Sequence, residues 1–519
     1  MNFNKKLAVA VSGAVLLMAG QVALADSATD IVDALVMKGV LTEEEGRLIT
    51  KGHTSKTSVT PVVKEKDGAF TLESANGNNS ISLTGRMHLD YRHNNLDLYS
   101  SDFNDRDSAT AADNIELRRA RLGVKGKFAK DFNYEIVGNL PGTATVDVAF
   151  VDYAKYPEAK LRLGRFKQPF NLEEQTSSNN IDFMERSYVN ALAPAKKNGA
   201  MFFGEPKTGF TYALSAFSMN DTEQDSKNDK MSYAGRTTLN FGELLGNKDM
   251  VAHFGLAGFD TEYNVTPTSS SQSKDATPTT TNATILAFRT PGRGLSNIFA
   301  AQIGGIANTT PGQSVIANST SQVKSSAVGV EGAFAYNSIK VQGEYARAGY
   351  QGKTGTTGDK LDFNANVFYG EVMYLATGEK YSGAYKGGTF GSIKPTNNFD
   401  LDKNQWGAWE FGLRAEKYTV DDFSLNAGSG GATQGVGATR VRGSTSCEGG
   451  GGETRSPNGC KASSTTYTAG IKWILNPNAM VKLNYSRTNF GYEWEHFDLD
   501  DSRRLNKEDL LMMRTQFTF

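Results

Sequence analysis

The chain has 519 residues, and its 55 basic and 56 acidic residues give a formal net charge of −1. Only 39% of the residues are hydrophobic, whereas 54 are glycine, so the apolar content is low for a water-soluble globule of this length. After the first 25 residues, no apolar stretch reaches the roughly 20 residues that a transmembrane helix requires. Composition therefore argues against both a helical membrane protein and a large soluble globule.

Residues 1–25 have the pattern of a secretory signal peptide. Two lysines precede an apolar run at residues 7–19, and the sequence Ala-Leu-Ala at residues 23–25 supplies a small-residue cleavage site. The apolar run is too short for a membrane-spanning helix, so we expect cleavage after Ala25 rather than a retained anchor. Together with the strand pattern that follows, export predicts the outer membrane of a Gram-negative cell as the location.

A short amphipathic segment occupies residues 26–64. Its apolar residues recur with helical spacing, and Thr42 is followed three residues later by Glu45, which is the capping-box signature of a second short helix. We interpret this segment as a periplasmic helical extension outside the main domain. It serves either as a soluble tether or as a small motif for oligomerisation.

Residues 65–519 form one predicted domain of repeated β-strands, because no linker or change of composition divides them. In SISLTGRMHLDYR (residues 80–92), alternate positions are apolar, such as Leu83 and Met87, and the positions between them are polar, such as Arg86. This period of two predicts a strand with one apolar and one polar face. The same alternation recurs around residues 231–241, 338–346, 409–416 and 479–486.

Three features favour an outer-membrane β-barrel over a soluble β-sandwich, which also alternates. The predicted strands are about 10–14 residues long, whereas strands of globular proteins usually have about 5–6. Aromatic residues lie near the ends of the apolar faces, and charged residues occur in the middle of the polar faces, which a water-filled lumen tolerates. We therefore predict an all-β fold, a 16-stranded antiparallel transmembrane β-barrel, with 18 strands as the alternative count.

The segment NIELRRARLGVKGKF (residues 114–128) concentrates positive charge in one predicted strand, with the cations Arg118, Arg119, Arg121, Lys125 and Lys127. Strict alternation places all of them except Arg118 on one face. In a barrel this face is the lumen, where fixed charges focused by low-dielectric walls attract anions. Arginine binds oxyanions with paired N–H groups. The alternative is an unselective porin, whose walls also carry arginines.

Two polar stretches have the composition of external loops. Residues 266–283 are rich in serine and threonine, and the segment around Cys447 and Cys460 is rich in glycine and charged residues. Two cysteines on one loop of an exported protein predict a local disulfide. A metal site is the alternative, but no histidine lies beside these cysteines. We predict neither a metal nor a cofactor.

The last ten residues, LLMMRTQFTF, form a predicted closing strand. Leu511, Met513 and Phe519 belong to its apolar face, and Arg514 belongs to its polar face. A terminal phenylalanine at the end of an alternating strand looks like the assembly signal of outer-membrane barrels.

Three motifs resemble the phosphate-selective porin O and P family: GRMHLDYR (85–92), LRRARLGVKGKFAKDFNYEIVGN (117–139) and AKLRLGRFKQPFNLEEQTSSNNIDFMERSYVNALAP (159–194). The resemblance covers about residues 65–519. It implies a trimeric, 16-stranded porin for passive diffusion of small anions, phosphate preferred, with a constriction made by the third loop folding inward.

By these motifs, the resemblance also implies the residues of the constriction. They are Arg86, Arg118 and Arg119 on the wall, and Ser177, Ser178 and Arg186 on the inward loop. Asp147 is the acid beside them, implied to accept a hydrogen bond from a protonated phosphate oxygen and to keep binding weak enough for release.

Two features depart from the family pattern. Strict alternation sends Arg118 to the lipid side, so both neighbouring arginines reach the lumen only through a β-bulge. Glu173 and Glu174 begin the inward loop, where a strictly phosphate-selective member has lysine. They lie at the rim, or they shift selectivity away from multivalent anions.

Several other functions are compatible with a barrel. A general diffusion porin, a pore for pyrophosphate or another oxyanion, and a structural or adhesive barrel are the alternatives. An outer-membrane enzyme is a further class, because His88 shares a polar face with Ser82 and Asp90, but this spacing is generic and we predict no enzymatic activity. The expected partners are small anions, outer-membrane lipid and further copies of the chain, without nucleic acid.

Overall fold

The structure is a computed structural model. It describes residues 27–49, 60–66, 69–94, 113–219, 230–265, 282–292, 299–304, 321–353, 360–423, 460–495 and 504–519. The signal peptide and Cys447 lie outside these residues, and Cys460 is the first residue of a strand. Cleavage and the disulfide therefore stay predictions. Residues 266–281 of the predicted external loop also lie outside the described residues.

The helices are short. Helix α1 is Ser27–Met37, residues 43–49 are helical, α2 is Leu172–Gln175 and α3 is Phe241–Leu244. Two 3₁₀ helices occupy Tyr188–Leu192 and Tyr381–Ala384. The predicted capping box is present, because the Thr42 hydroxyl accepts from the Glu45 amide at 3.2 Å and the Glu45 carboxylate accepts from the Thr42 amide at 2.9 Å. None of the helices in the described ranges is long and apolar enough to cross a membrane.

Most of the described chain is β-strand. In chain order the strands are β1 Val62–Lys66, β2 Ala69–Glu73, β3 Ser80–Asn94, β4 Asn114–Phe128, β5 Phe132–Asn139, β6 Thr145–Tyr156, β7 Ala159–Lys167, β8 Lys196–Lys207, β9 Phe210–Phe217, β10 Ser232–Asn240, β11 Met250–Val265, β12 Asn282–Phe288, β13 Phe299–Gly304, β14 Ser321–Tyr336, β15 Ile339–Lys353, β16 Lys360–Leu375, β17 Tyr385–Lys386, β18 Thr389–Phe390, β19 Ala408–Phe423, β20 Cys460–Asn476, β21 Ala479–Glu495 and β22 Arg504–Thr518.

Sixteen of the described strands, β3–β11, β14–β16 and β19–β22, form a closed antiparallel barrel. The short strands β1 and β2 extend the same sheet, whereas β12–β13 and β17–β18 are separate hairpins. The prediction of an all-β, 16-stranded barrel is confirmed.

Alternation along β3 and β19 separates the two faces of the barrel wall. Met87 and Leu413 are 41% and 61% exposed, whereas His88, Asp90 and Arg414 are buried. Apolar side chains that lie exposed on a barrel face the hydrocarbon of the membrane, and polar side chains that lie buried face inward. The period-two pattern of the sequence thus places each side chain on the expected face.

The described residues form two compact units. The larger contains residues 85–122 and 136–519, and the smaller contains residues 123–135 with those up to residue 84. In the smaller unit β1 pairs with β2, and β2 pairs with the start of β3, where the Thr71 and Ser82 hydroxyl oxygens lie 2.6 Å apart.

In the larger unit β22 pairs with β3 and closes the barrel. The Gly85 amide donates to the Phe519 carbonyl at 2.9 Å, and the Phe519 amide donates to the Gly85 carbonyl at 3.2 Å. The Phe519 ring occupies the space that a Cβ at position 85 would need. Glycine is therefore required where the terminal ring packs, and the expected closing strand is confirmed.

Three segments of the larger unit fold along the inner face of the barrel. They are residues 168–195 between β7 and β8, called the inward loop below, the β12–β13 hairpin, and residues 376–407 between β16 and β19. Aromatic rings join two of these segments to the wall. The Phe288 ring stacks on Tyr418 with centroids 4.2 Å apart, and the Tyr188 ring meets Tyr418 edge-on at 5.1 Å.

Residues 376–407 form a long connection between β16 and β19. The Tyr381 amide donates to the Asn337 carbonyl at 3.1 Å, beside the tight turn between β14 and β15. From there the segment turns inward. The Tyr381 hydroxyl donates to Glu410 at 2.6 Å, and the Phe390 ring centroid lies 4.6 Å from Lys340 Nζ.

Candidate functional site: the constriction at the inward loop

The inward loop begins at α2, whose start is held by side chains. Glu344 on β15 accepts hydrogen bonds from the first two amides of α2, both at 2.8 Å. The Asn171 side chain accepts from the Glu174 amide at 2.8 Å. Three amides that a helix start leaves without partners are thereby satisfied, which fixes the beginning of the loop against the wall.

Lysines of the barrel wall hold the middle of the inward loop. Lys482 on β21 donates to the Ile181 carbonyl at 2.5 Å, and Lys340 on β15 lies 2.6 Å from Asp182. Burial raises the pKa of Asp182, but Lys340 and Lys472 outweigh this effect and hold the pKa below its usual value. The loop therefore stays seated through charged contacts with several strands.

Glu173 and Glu174 are buried within the barrel and do not lie at its rim. Glu173 lies 3.2 Å from Arg414 and accepts from the Ser187 amide at 2.8 Å. Burial raises the pKa of Glu173, and Arg414 and Ser187 oppose that rise. Glu174 lies 3.6 Å from Arg186, which also donates to the Glu173 carbonyl at 2.9 Å. These two acids thus stabilise the loop.

Several sequence-predicted site residues meet beside the loop. Arg86 on β3 donates to the Ser178 hydroxyl at 2.8 Å. Arg121 on β4 lies 2.8 Å from the Asp147 carboxylate on β6, and Lys196 at the start of β8 donates to the same carboxylate. The side chains of Arg121, Asp147 and Lys196 are 15%, 12% and 18% exposed, so this charged group is only partly shielded from solvent.

Among the described residues, five cations and two carboxylates make up this group, which we call the cation cluster: Arg86, Arg121, Lys167, Arg186, Lys196, Asp147 and Glu174. The cations repel one another electrostatically, and the carboxylates attract them. The formal charge of the cluster is therefore +3. An excess of positive charge in a confined space attracts anions.

Arg118 and Arg119 both extend to the inner face. Arg118 Nε donates to Glu185 of the inward loop at 3.2 Å, and Arg119 Nη1 lies 3.4 Å from His88 Nδ1 on β3. Consecutive residues share a face only where strict alternation is interrupted, as it is in a β-bulge. The contacts of this pair thus agree with the bulge that the family pattern requires.

Glu185 gathers three arginines. Its carboxylate lies 3.2 Å from Arg118, 3.1 Å from Arg92 and 3.0 Å from Arg514. Asp90 accepts from Arg92 at 2.6 Å and from Arg514 at 2.6 and 2.7 Å. This network, called the Glu185 network below, neutralises most of the charge of its arginines and ties the inward loop to β3, β4 and β22.

The remaining predicted residues have other surroundings. The Ser177 hydroxyl accepts from the Asn179 amide at 3.4 Å, so Ser177 shapes the loop. Lys125 and Lys127 belong to the smaller unit, where Lys125 is exposed and Lys127 Nζ lies 4.0 Å from Glu73. In the described ranges, no three histidine, cysteine or acidic side chains are arranged to hold a metal ion.

A family model, that of the phosphate-selective porins O and P, matches residues 81–519. The chain belongs to this family. It is an outer-membrane porin, and both the family and the fold are those of a channel. A comparison with curated proteins gives no match.

Solved structures of other outer-membrane proteins are similar to this porin at low identity. OmpT of Vibrio cholerae is 9% identical with a TM-score of 0.44, covering 85% of this chain and 98% of that chain. An anion-selective porin from Comamonas acidovorans is 11% identical with a TM-score of 0.42, covering 85% and 100%. The outer membrane channel DcaP of Acinetobacter baumannii is 9% identical with a TM-score of 0.43, covering 85% and 97%.

Sequence reasoning missed Lys167 and Lys196 of the porin's cation cluster. Among the residues that position the inward loop, it also missed Glu185 and Arg514. Lys167 is the last residue of β7 and Lys196 is the first residue of β8, so these two lysines flank the inward loop. That position was a usable signal once the loop was expected to fold inward. The partners of Glu185 come from distant parts of the chain, and no local pattern indicates them.

Proposed function

We propose that this porin conducts small anions by passive diffusion and prefers phosphate-like oxyanions. The observation that carries the proposal is the cation cluster, where five cations face two carboxylates among the described residues beside the inward loop. A narrow pore with low-dielectric walls focuses the field of such charges and raises the local anion concentration. A basic constriction is the expected device of an anion pore.

The donor set suits an oxyanion better than chloride. Arg86 and Arg121 bring guanidinium groups from neighbouring strands, and Ser178 and Asp147 hold these groups in place. Planar N–H pairs match two oxygens of one anion. The O–H group of dihydrogen phosphate can also donate a hydrogen bond to the Asp147 carboxylate, which chloride cannot do. The same carboxylate lowers the total positive charge, so the bound anion can leave.

A general diffusion porin is the second candidate, and the Glu185 network favours it. Arg92, Arg118 and Arg514 are paired with Glu185 and Asp90, so much of the positive charge on this wall is cancelled. Selectivity then rests on the cation cluster alone. A pore for pyrophosphate or another oxyanion uses the same donors, and competition between anions separates these cases.

The deciding experiment is the zero-current potential of the purified porin in a planar bilayer under a tenfold KCl gradient. A chloride-directed potential, with conductance that falls as millimolar phosphate is added, supports the proposal. Sulfate and pyrophosphate are titrated in parallel to rank the anions. A potential near zero or directed to potassium contradicts the proposal and establishes the general porin.

We further propose that the porin is a homotrimer, as the family resemblance implies. Strands β5 and β9 have only 8 residues, whereas β14–β16 and β19–β22 have 15–17. At a rise of about 3.3 Å and a tilt of about 40°, eight residues cover about 20 Å, less than the apolar band of about 25 Å. Where the strands are too short to span the apolar band, a neighbouring copy of the chain covers the outer face of the barrel. Sedimentation equilibrium in detergent tests this, and a monomer mass contradicts it.

A further inference from the structure

The outer face of β16, β19, β20 and β21 carries an apolar groove. Its floor consists of the small outward residues Gly370, Ala415 and Ala469, because Gly370 pairs with Ala415 and Ala469 pairs with Leu413 and Tyr485 across the strands. The groove is open on its outer side. Its part farther from the tight turn between β14 and β15 is called the upper part, because short turns lie at the periplasmic end of outer-membrane barrels. The upper part has a volume of about 690 Å³, and the lower part has about 450 Å³. Its sides are formed by outward-facing aliphatic and aromatic side chains, among them Val372, Leu413, Tyr467 and Tyr485.

Three outward-facing cations lie level with the upper end of this groove. Arg347, Lys417 and Arg487 stand eight or nine residues beyond the first residues of β15, β19 and β21, respectively. At a rise of about 3.3 Å and a tilt of about 40°, this distance is about 20 Å along the barrel axis. Since the apolar band is about 25 Å tall, these cations lie near its outer boundary.

The charge at this level is positive. Arg487 is held by Asp509 through two hydrogen bonds of 2.7 and 2.8 Å. Within the part of the chain that the structure describes, no carboxylate forms an ion pair with Arg347 or Lys417. Their charges are therefore available to a partner that approaches from the membrane.

We propose that the groove binds an acyl chain of lipid A, the phosphate-bearing glycolipid of the outer leaflet, with a phosphate at Lys417 and Arg347. The hydrocarbon fills the groove between Leu413 and Tyr485, which face the membrane because they are exposed on the outer wall. Anionic phosphate complements the cations at the upper boundary. A phospholipid of the inner leaflet has its headgroup at the other end of the apolar band, so it does not place charge and chain together here.

Native mass spectrometry of the full porin in detergent, titrated with lipid A, tests the proposal. Ala469→Phe fills the floor of the groove from the exposed side without entering the barrel interior, and the double variant R347Q/K417Q removes the charges. Leu256→Phe on β11 is the control, because Leu256 is exposed on the outer wall of a 16-residue strand, and neither β11 nor its neighbours β10 and β14 line the groove.

We expect Ala469→Phe to weaken lipid A binding at least tenfold and R347Q/K417Q to weaken it several-fold, with Leu256→Phe unchanged. Phosphatidylglycerol should bind more weakly and should not distinguish the variants. Equal binding by the native chain and both groove variants overturns the proposal, because the lipid then contacts the barrel without a site. Unchanged ion selectivity of the variants in planar bilayers keeps this result separate from the function of the constriction.

Discussion

Two substitutions change the charge of the cation cluster by one unit in opposite directions. Arg121→Gln removes a positive charge and Asp147→Asn removes a negative one, and both keep the approximate size of the side chain. The two groups lie 2.8 Å apart and are 15% and 12% exposed. Each charge therefore acts on a partly desolvated space beside the inward loop, where an anion passes.

The size of the effect follows from the distance between the charges. For an anion about 6 Å from the altered group, with an effective dielectric constant of about 40 for a wet and confined site, one unit charge contributes about 1.4 kcal/mol. That energy corresponds to about a tenfold change in affinity. We expect Arg121→Gln to weaken phosphate binding about tenfold and Asp147→Asn to strengthen it by a similar factor.

The assay is the phosphate concentration that halves the chloride conductance of single channels in a planar bilayer. Arg121→Gln should raise this concentration, and Asp147→Asn should lower it and reduce the maximal conductance, because a tighter site releases the ion more slowly. Lys324→Gln is the control, since the Lys324 side chain is 58% exposed on a strand outside the cluster. Shifts in the same direction, or both below twofold, refute the electrostatic reasoning.

Three further predictions follow from the contacts of the inward loop and from the pairing of β22 with β3. Gly85→Val forces a side chain into the Phe519 ring and should lower the free energy of unfolding by about 1–3 kcal/mol. An unchanged midpoint of urea unfolding would mean that the Phe519 ring does not pack against position 85. Glu344→Gln weakens the hydrogen bonds to the first two amides of α2, which should destabilise the seated inward loop by about 1–3 kcal/mol. The chloride conductance should therefore rise, and a native conductance would mean that the other contacts of the loop suffice to hold it. The Asp182 pKa is depressed below its ordinary 3.8, so the stabilisation from its pairing with Lys340 is complete above about pH 4 and is lost only as the pH falls through the depressed value. The difference in single-channel conductance between the native porin and Asp182→Asn should therefore stay constant from pH 7 to about pH 4, and a stepwise change of this difference within that range contradicts the assignment.

The barrel wall can be predicted from the sequence, because the alternation of apolar and polar residues within each strand is a local pattern. Met87 and His88 are adjacent in sequence and lie on opposite faces in the structure, 41% exposed and fully buried, respectively. A period of two requires no knowledge of the neighbouring strands. The closing strand likewise carries a local pattern, and its terminal Phe519 lies where that pattern indicates.

The interior of the barrel is less accessible, because it depends on contacts between distant residues. Glu344 holds α2 across a separation of more than 170 residues, and nothing in the local sequence of either partner indicates the other. Residues 376–407 are rich in glycine and polar residues, like a solvated loop, yet Tyr381 and Phe390 are buried. A few aromatic residues in a polar segment are a weak signal, and only the folded wall shows what they contact.

Through Arg514, the closing strand β22 also holds the inward loop. Besides pairing with Asp90 on β3, Arg514 donates to the Met184 carbonyl and lies 3.0 Å from Glu185, both on the inward loop. The seat of the loop is therefore incomplete until the last strand of the chain has joined the first barrel strand. The pairing of β22 with β3 and the seating of the inward loop therefore belong to one assembly step. A barrel in which β22 has not yet paired lacks both the closed wall and the narrowed channel.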